Sequence, residues 1–147
     1  MRIKVGVTID APPAAVWSVV EPIEPHVDWM ADAASITFTS KSTRGVGTSF
    51  DCVTRVGPLH TTDRMTITEW APGRAMGIEH HGVVTGRGRF TLSPRRRRRT
   101  RFTWTETLTF PWWMGGAAGA LAAKPVLRAI WRRNLRALKR LAEGGAA

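Results

Sequence analysis

Glu106 is the residue whose type and setting most clearly suggest chemistry. It lies in an alternating run, 100–110, and a strand there would place it on one face with four apolar side chains: Phe102, Trp104, Leu108 and Phe110. Burial among apolar groups raises the pKa of a carboxyl group, which can then exchange a proton with a bound ligand. We therefore take Glu106 as a candidate catalytic acid or base. The alternative is a solvated position, or pairing with an arginine such as Arg89.

Asp63 and His80 are the next candidates for acid–base chemistry. Asp63 alternates in phase with the apolar Met65, and would share the buried face of its strand. His80 alternates in phase with Met76 in the same way. A second inward carboxylate would form an acid–base pair with Glu106, and histidine titrates close to neutral pH. The alternatives are that Asp63 contacts water near a strand end and that His80 is a hydrogen-bonded core residue.

No residue pattern indicates a metal or cofactor site. His80 and His81 are adjacent, so on a strand they point to opposite faces and cannot hold one ion. Cys52 is the one cysteine of the chain, which excludes an internal disulfide and a multi-cysteine zinc site. It fits a small apolar core residue. We predict neither a metal nor a cofactor.

The remaining pattern predicts the elements that position these residues. An alternating strand over 2–9 is followed by two short helices, the second near 26–30, and then by about six strands. Their short turns indicate antiparallel pairing. After two glycines at 115–116, an apolar stripe over 127–141 predicts a long helix, in which Pro125 should introduce a kink or mark the start of the regular part. The predicted fold class is therefore α+β, with an antiparallel sheet of about seven strands wrapped around a long C-terminal helix.

Composition and charge bound the classes of function. At 147 residues with 43% apolar side chains, the chain has the size of one domain and can form a sizeable core. The formal net charge is +11, and all of it lies in residues 95–147, which hold 13 basic and 2 acidic side chains. Residues 1–94 hold 9 of each. This asymmetry favours a polyanionic partner, either nucleic acid or an anionic membrane, or reflects GC-rich coding with arginine in place of lysine.

An arginine run supplies much of this charge: Arg95, Arg96, Arg97, Arg98, Arg99 and, after one threonine, Arg101. We expect the run in a hairpin connection between two strands, where such charges are usually solvated. Near an anionic membrane each arginine would contribute about 1 kcal/mol of binding free energy. No helix-turn-helix or RNA-binding motif accompanies the run, so we predict no sequence-specific binding of nucleic acid.

An apolar segment at 111–123 precedes the predicted long helix and contains Trp112 and Trp113. Tryptophan beside basic residues is typical of interfacial membrane anchors. The interpretation that we favour is that this loop caps an internal cavity and buries both tryptophans. The segment is shorter than the roughly 20 apolar residues of a membrane span. Because the N-terminus also lacks the apolar stretch of a signal peptide, we expect a cytoplasmic location.

Five segments resemble one known family: VTIDAPPAAVWSVVEPIEPHVDW near the N-terminus, then GVGTSF, ITEWAPGRAMGIEH, TRFTWTETLTF and LRALKRLAE. They resemble the helix-grip (SRPBCC) superfamily, which includes START lipid-transfer domains, Bet v 1 pollen allergens and polyketide cyclase/dehydrase-like proteins, and the last branch is the most similar. The resemblance covers nearly the whole chain and implies a single helix-grip domain over 1–147. It also implies a seven-stranded sheet around the long helix, with a cavity between them.

The resemblance implies binding or transport of a small hydrophobic ligand, such as a lipid, sterol or polyketide, in that cavity. One alternative is a metal-free polyketide cyclase/dehydratase-type enzyme that uses Glu106, Asp63 or His80 as the acid or base. A second is binding of an anionic membrane or nucleic-acid surface through the basic C-terminal third. Fold alone does not choose among these, and no oligomeric state is predicted. The residues expected to contact the ligand are mostly large apolar side chains: Trp29, Met65, Met76, Ile78, Phe90, Phe102, Trp104, Trp113, Leu127 and Trp131.

Overall fold

The secondary structure follows the order expected from the sequence. The computed structural model describes residues 1–144, in which β1 (Arg2–Ile9) is followed by α1 (Pro13–Val20) and a 3₁₀ helix (Glu24–Asp28). Six strands come next: β2 (Ala33–Phe38), β3 (Ser49–Val56), β4 (Leu59–Ala71), β5 (Ala75–His81), β6 (Thr85–Arg95) and β7 (Arg99–Thr109). A second 3₁₀ helix (Trp112–Met114) leads into the long helix α2 (Gly116–Gly144).

The seven strands form one antiparallel sheet in the order β1-β7-β6-β5-β4-β3-β2. Strands β2 to β7 form a meander, because each pairs with the next along the chain. β1 pairs with β7, which places Ile3 opposite Glu106. The predicted α+β helix-grip architecture is confirmed: a seven-stranded antiparallel sheet, short helices after the first strand and a long C-terminal helix.

Strand β7 shows how alternation sets the face on which Glu106 lies. Its even-numbered residues from Thr100 to Leu108 are all buried, and the side chains between them are half-buried or exposed. A strand turns successive side chains to opposite faces, so one apolar face of period two packs on the core. Glu106 belongs to that face and is 3% exposed.

The apolar stripe of α2 completes the core and contacts mainly β1. Its most buried members recur at helical spacing: Trp131, Leu135, Leu138 and Ala142. Leu141, which the sequence placed in the stripe, is 44% exposed, because the helical period brings Ala142 to the buried face instead.

Helix α2 continues on both sides of Pro125, which therefore does not mark the start of its regular part. Pro125 is exposed, so the backbone group that loses its hydrogen bond to the proline can bind water. Within residues 1–144, no helix combines the length and apolar character that crossing a bilayer requires.

The arginine run forms the hairpin between β6 and β7, as the sequence predicts. Arg95 pairs with Arg99, and the three residues between them make the turn. Arg97 and Arg98 there have φ values of 61° and 57°, in the left-handed region that few residues other than glycine adopt. The side chains of residues 95–99 are exposed to solvent, Arg99 also pairs with Asp10 at 3.6 Å, and Arg101 is half-buried.

Candidate functional site

A cavity of about 230 Å³, partly open to solvent, lies between the sheet and α2. Its walls come from β2 to β7, from the first 3₁₀ helix and from the middle of α2. Seven of the ten residues that the sequence assigns to ligand contact line it: Met65, Met76, Ile78, Phe90, Trp104, Leu127 and Trp131. The three candidate acid–base residues, Glu106, Asp63 and His80, line it as well.

Two of the predicted ligand contacts, Phe102 and Trp29, lie behind the cavity wall. Phe102 is fully buried toward the β6–β7 hairpin, and its ring centroid is 5.3 Å from that of Phe90. Trp29 is buried behind Phe90 and Trp104, with ring centroids 5.8 and 6.2 Å apart, respectively. Neither residue lines the cavity, because a side chain can face the core without reaching the open space inside it.

The expectation that Trp112 and Trp113 cap the cavity with buried rings is wrong, and Trp113 is not among the lining residues. Trp112 is 86% exposed and Trp113 is 62% exposed, because the second 3₁₀ helix turns them outward. Met114, the next residue, lines the cavity in their place. Leu121 and Val126 of α2 are exposed as well, and we call these four side chains the apolar rim.

Glu106 forms two hydrogen bonds with side chains that line the cavity. Its Oε2 atom lies 2.9 Å from Nε2 of His80, and its Oε1 atom accepts a hydrogen bond of 2.9 Å from Nε1 of Trp104. Arg89, the partner considered from the sequence, donates to Glu69 at 2.7 Å on the other face of the sheet. Because β6 alternates, Arg89 faces away from Glu106.

A glycine on β6 makes room for the carboxylate of Glu106. Gly88 is the residue opposite Glu106 in the sheet, and a Cβ atom there would lie 2.4 Å from Oε1. A larger residue would displace the carboxylate from His80 and Trp104. In the sequence, this feature is visible only as two glycines, Gly86 and Gly88, on the otherwise apolar face of β6. The strand register is needed to show that Gly88 makes room for Glu106.

The ionisation of His80 follows from its partner. Burial by itself lowers the pKa of His80, but the hydrogen bond with Glu106, the charge of that carboxylate and the charge of Asp63 outweigh burial and raise that pKa above its usual value. The pairing therefore favours the protonated imidazole, which forms a buried ion pair with the carboxylate in the cavity wall when it carries its proton.

Asp63 is buried on β4, opposite Cys52 of β3, and is the least satisfied carboxylate of the cavity. Its Oδ2 atom accepts one hydrogen bond of 3.2 Å from Thr61, and its Oδ1 atom has no hydrogen-bond partner among residues 1–144. Cys52 is buried, which raises the pKa of its thiol to about 11. It is therefore a neutral, small core residue.

Asp32 and Asn134 join the sheet side of the cavity to α2, and sequence reasoning missed both. Asp32 accepts hydrogen bonds from Nδ2 of Asn134 at 2.7 Å and from Nε1 of Trp131 at 3.1 Å. Oδ1 of Asn134 in turn accepts a hydrogen bond of 2.9 Å from the backbone N–H of Ala31. The available signal was a single amide inside the apolar stripe of α2.

His26 is a second buried histidine at the cavity, with properties opposite to those of His80. Its Nε2 atom donates to the carbonyl of Val20 at 2.6 Å, and burial lowers its pKa to about 4. His26 is therefore neutral near pH 7. Among the side chains of residues 1–144, no group of three or more His, Cys, Asp or Glu could hold a metal ion.

We expect an NMR pH titration to show that the pKa values of the two histidines are shifted in opposite directions from the usual value. The pKa of His80 should lie above 6.5 and that of His26 near 4. Glu106→Gln should lower the pKa of His80, since burial then acts without the carboxylate, and leave His26 unchanged. Because the raised pKa belongs to the folded state, the stability that proton binding contributes is present below pH 6.5 and is lost as the pH rises through that pKa. A wild-type His80 that titrates below 6.5 would contradict this account.

Solved structures of other proteins share this fold. A protein of Thermus thermophilus, TTHA0849, matches with a TM-score of 0.83 at 16% identity over 100% of both chains. The Zhui aromatase/cyclase of Streptomyces sp. R1128 matches with a TM-score of 0.72 at 19% identity, over 99% of this chain and 93% of that one. The di-domain ARO/CYC StfQ of the steffimycin biosynthetic pathway matches with a TM-score of 0.80 at 16% identity, over 99% of this chain and 51% of that one.

Sequence comparison assigns the family more directly than these distant structural matches, which show the fold alone. A search of curated proteins finds no match. The family model described as polyketide cyclase / dehydrase and lipid transport matches residues 1–143, nearly the whole chain. The protein therefore belongs to the polyketide cyclase/dehydrase and lipid transport family of helix-grip proteins.

Proposed function

We propose that the protein binds a small apolar ligand, such as a lipid, sterol or polyketide, in the cavity between the sheet and α2. The observation that carries this proposal is a largely apolar space of about 230 Å³ with a few polar groups in its wall. Small-molecule sites commonly have this composition. An apolar cavity of about 150 Å³ in another protein binds benzene, so this one has room for a larger ring system.

The pair of His80 and Glu106 gives the cavity a fixed polar point. Glu106 occupies Nε2 of His80, which leaves Nδ1 as the ring atom that can contact a ligand. Because Trp104 also donates to Glu106, the carboxylate cannot rotate freely to meet the ligand. In this proposal the apolar walls provide affinity and His80 sets the orientation of the ligand.

Filling the cavity should prevent binding. Ile78 lines the cavity from β5, so Ile78→Trp would occupy the ligand's space. We expect it to weaken binding of the neutral fluorescent probe N-phenyl-1-naphthylamine by about tenfold or more, because each 1.4 kcal/mol lost corresponds to a factor of ten. Fluorescence titration measures this effect.

The matched control is His81→Trp, which adds the same side chain to the exposed face of β5. It should leave probe affinity unchanged. Equal binding by the wild type and both variants would show that the probe does not enter the cavity, and no binding by the wild type would count against the proposed function.

Acid–base chemistry on a bound ligand is a second candidate function, favoured by the ion pair of His80 and Glu106 inside the cavity. In this scheme His80, kept protonated by Glu106, donates a proton to the carbonyl oxygen of the ligand. Asp63, the cavity carboxylate with the fewest hydrogen bonds, accepts a proton from the adjacent carbon. Glu106 is a positioning residue in this scheme.

This candidate predicts proton exchange in an apolar ketone. In D₂O, the protein should accelerate deuterium incorporation next to the carbonyl of 2-tetralone, as followed by NMR. Glu106→Gln should reduce the exchange rate to that of buffer, because His80 loses the partner that keeps it protonated. Binding of the fluorescent probe should remain largely intact. Glu79→Gln, on the outer face of β5, is the control. If the wild-type protein does not accelerate deuterium incorporation, this candidate function is contradicted.

The apolar rim supports a role for an anionic membrane as the partner with which ligand is exchanged. Trp112 and Trp113 precede Met114, a cavity-lining residue, so the exposed rings lie beside the ligand site. Between Leu121 and Val126, α2 carries a half-buried cation, Lys124. Aromatic and apolar groups next to cations are the combination that binds interfacial membrane regions.

The arginine run lies at the other end of the sheet from this rim. The hairpin 95–99 closes β6 and β7, each 11 residues long, whereas Trp112 follows the opposite end of β7. At about 3.3 Å per residue, the strands separate the two surfaces by roughly 33 Å. We therefore assign membrane contact in this proposal to the rim and α2, not to the arginine run.

Replacing both rim tryptophans should test this assignment. Trp112→Ser with Trp113→Ser should weaken binding to phosphatidylserine-containing vesicles by about tenfold in a sedimentation assay. Val46→Ser, which removes an exposed apolar side chain 66% accessible to solvent, should have no effect. Unchanged binding after loss of both tryptophans, or an equal loss in the Val46 variant, would contradict a membrane role for the rim.

A further inference from the structure

Apart from the neutral thiol of Cys52, the ionisable residues that line the cavity are acids and histidines. They are Asp32, Asp63, Glu106, His26, His60 and His80, and none of the lining residues within 1–144 is lysine or arginine. The chain as a whole carries a formal charge of +11. The cavity wall therefore has the opposite sign to the exterior of the protein.

The three carboxylates differ in how well the protein compensates them. Glu106 is paired with His80, whose pKa the pairing raises. Asp32 accepts two side-chain hydrogen bonds, from Asn134 and Trp131. Asp63 accepts one hydrogen bond through Oδ2 and none through Oδ1, although it is buried. Neutral donors do not cancel a charge, so Asp32 and Asp63 both remain anionic when ionised, and Asp63 is the one that the protein stabilises least.

A buried carboxylate without full compensation favours a cation and repels an anion, because charges interact more strongly in a cavity of low dielectric constant than in water. His80 does not reverse this preference, since any positive charge that it carries is already paired with Glu106. His26 is neutral, because burial lowers its pKa to about 4. A carboxylate or phosphate that entered the cavity would thus meet no uncompensated cation among the described lining residues.

We propose that the cavity takes an apolar molecule whose polar end is a cationic amine bound by Asp63, and that it excludes fatty acids and other apolar anions. This inference rests on the proposed function, because it names the class of ligand for the same cavity. The charge preference of the cavity thus differs from that of the protein exterior. The basic exterior binds an anionic membrane, whereas the cavity selects against anionic ligands.

A charge series of one ring system tests the proposal on the wild-type protein. At pH 7.5, bound N-phenyl-1-naphthylamine is displaced with three competitors. They are the cation of 1-naphthylmethylamine, the neutral 1-naphthalenemethanol and the carboxylate anion of 1-naphthylacetic acid. The amine should bind about tenfold or more tightly than the carboxylate, with the alcohol between them. A carboxylate that competes as well as the amine would overturn the proposal.

Asp63→Asn should then remove the preference. Affinity for the amine should fall about tenfold while affinity for the alcohol stays within about twofold, because only the cation loses its counter-charge. The matched control is Asp51→Asn, which removes the carboxylate that pairs with Arg64 on the outer face of β3. An unchanged amine affinity in the Asp63 variant would overturn the assignment of this residue.

The two proposals fail in distinguishable ways. If the wild-type protein does not bind the neutral probe at all, the proposed binding function fails. If the probe binds and the three ligands compete equally, the binding function stands and the charge preference is wrong. The wild-type series gives this answer even if Asp63→Asn does not fold.

Discussion

The hydrogen bond between Glu106 and His80 is the interaction on which the cavity wall depends. An ionised carboxylate in an apolar interior is costly unless it is paired, and the loss of one partner leaves the other charge buried. Three strands provide the required setting: β5 carries His80, β6 leaves space at Gly88, and β7 carries Glu106 with Trp104. The antiparallel register brings these residues together, so the fold and the site are determined by the same strand pairing.

The cavity also requires that α2 be held against the sheet without filling the space between them. The rings of Trp104 and Trp131 stack at 4.8 Å, and Trp131 and Asn134 both donate to Asp32. These contacts fix the middle of α2 by directional interactions, whereas Leu135 and Leu138 fix the following turns by burial. An apolar cavity remains between the two anchored layers, and it is lined by acids although the exterior is strongly basic.

The sequence predicts the fold well because alternation and helical spacing are local patterns. The strand around Glu106, the hairpin at the arginine run and the long helix all follow from such patterns. The partner of Glu106, the pairing of Asp32 with Asn134 and the outward rotation of Trp112 depend on register and packing between distant segments, which no local pattern encodes. For the same reason the sequence could place Phe102 in the core but not say that it lies beyond the cavity.

The central claim is that the space between the sheet and α2 is a binding site for a small apolar molecule. Native mass spectrometry of the gently purified protein tests it most directly, because a retained ligand appears as an added mass and can be identified after release. We expect a bound molecule that is apolar and not anionic, or its uptake from a lipid extract. Empty protein that takes up nothing from such an extract would contradict the account.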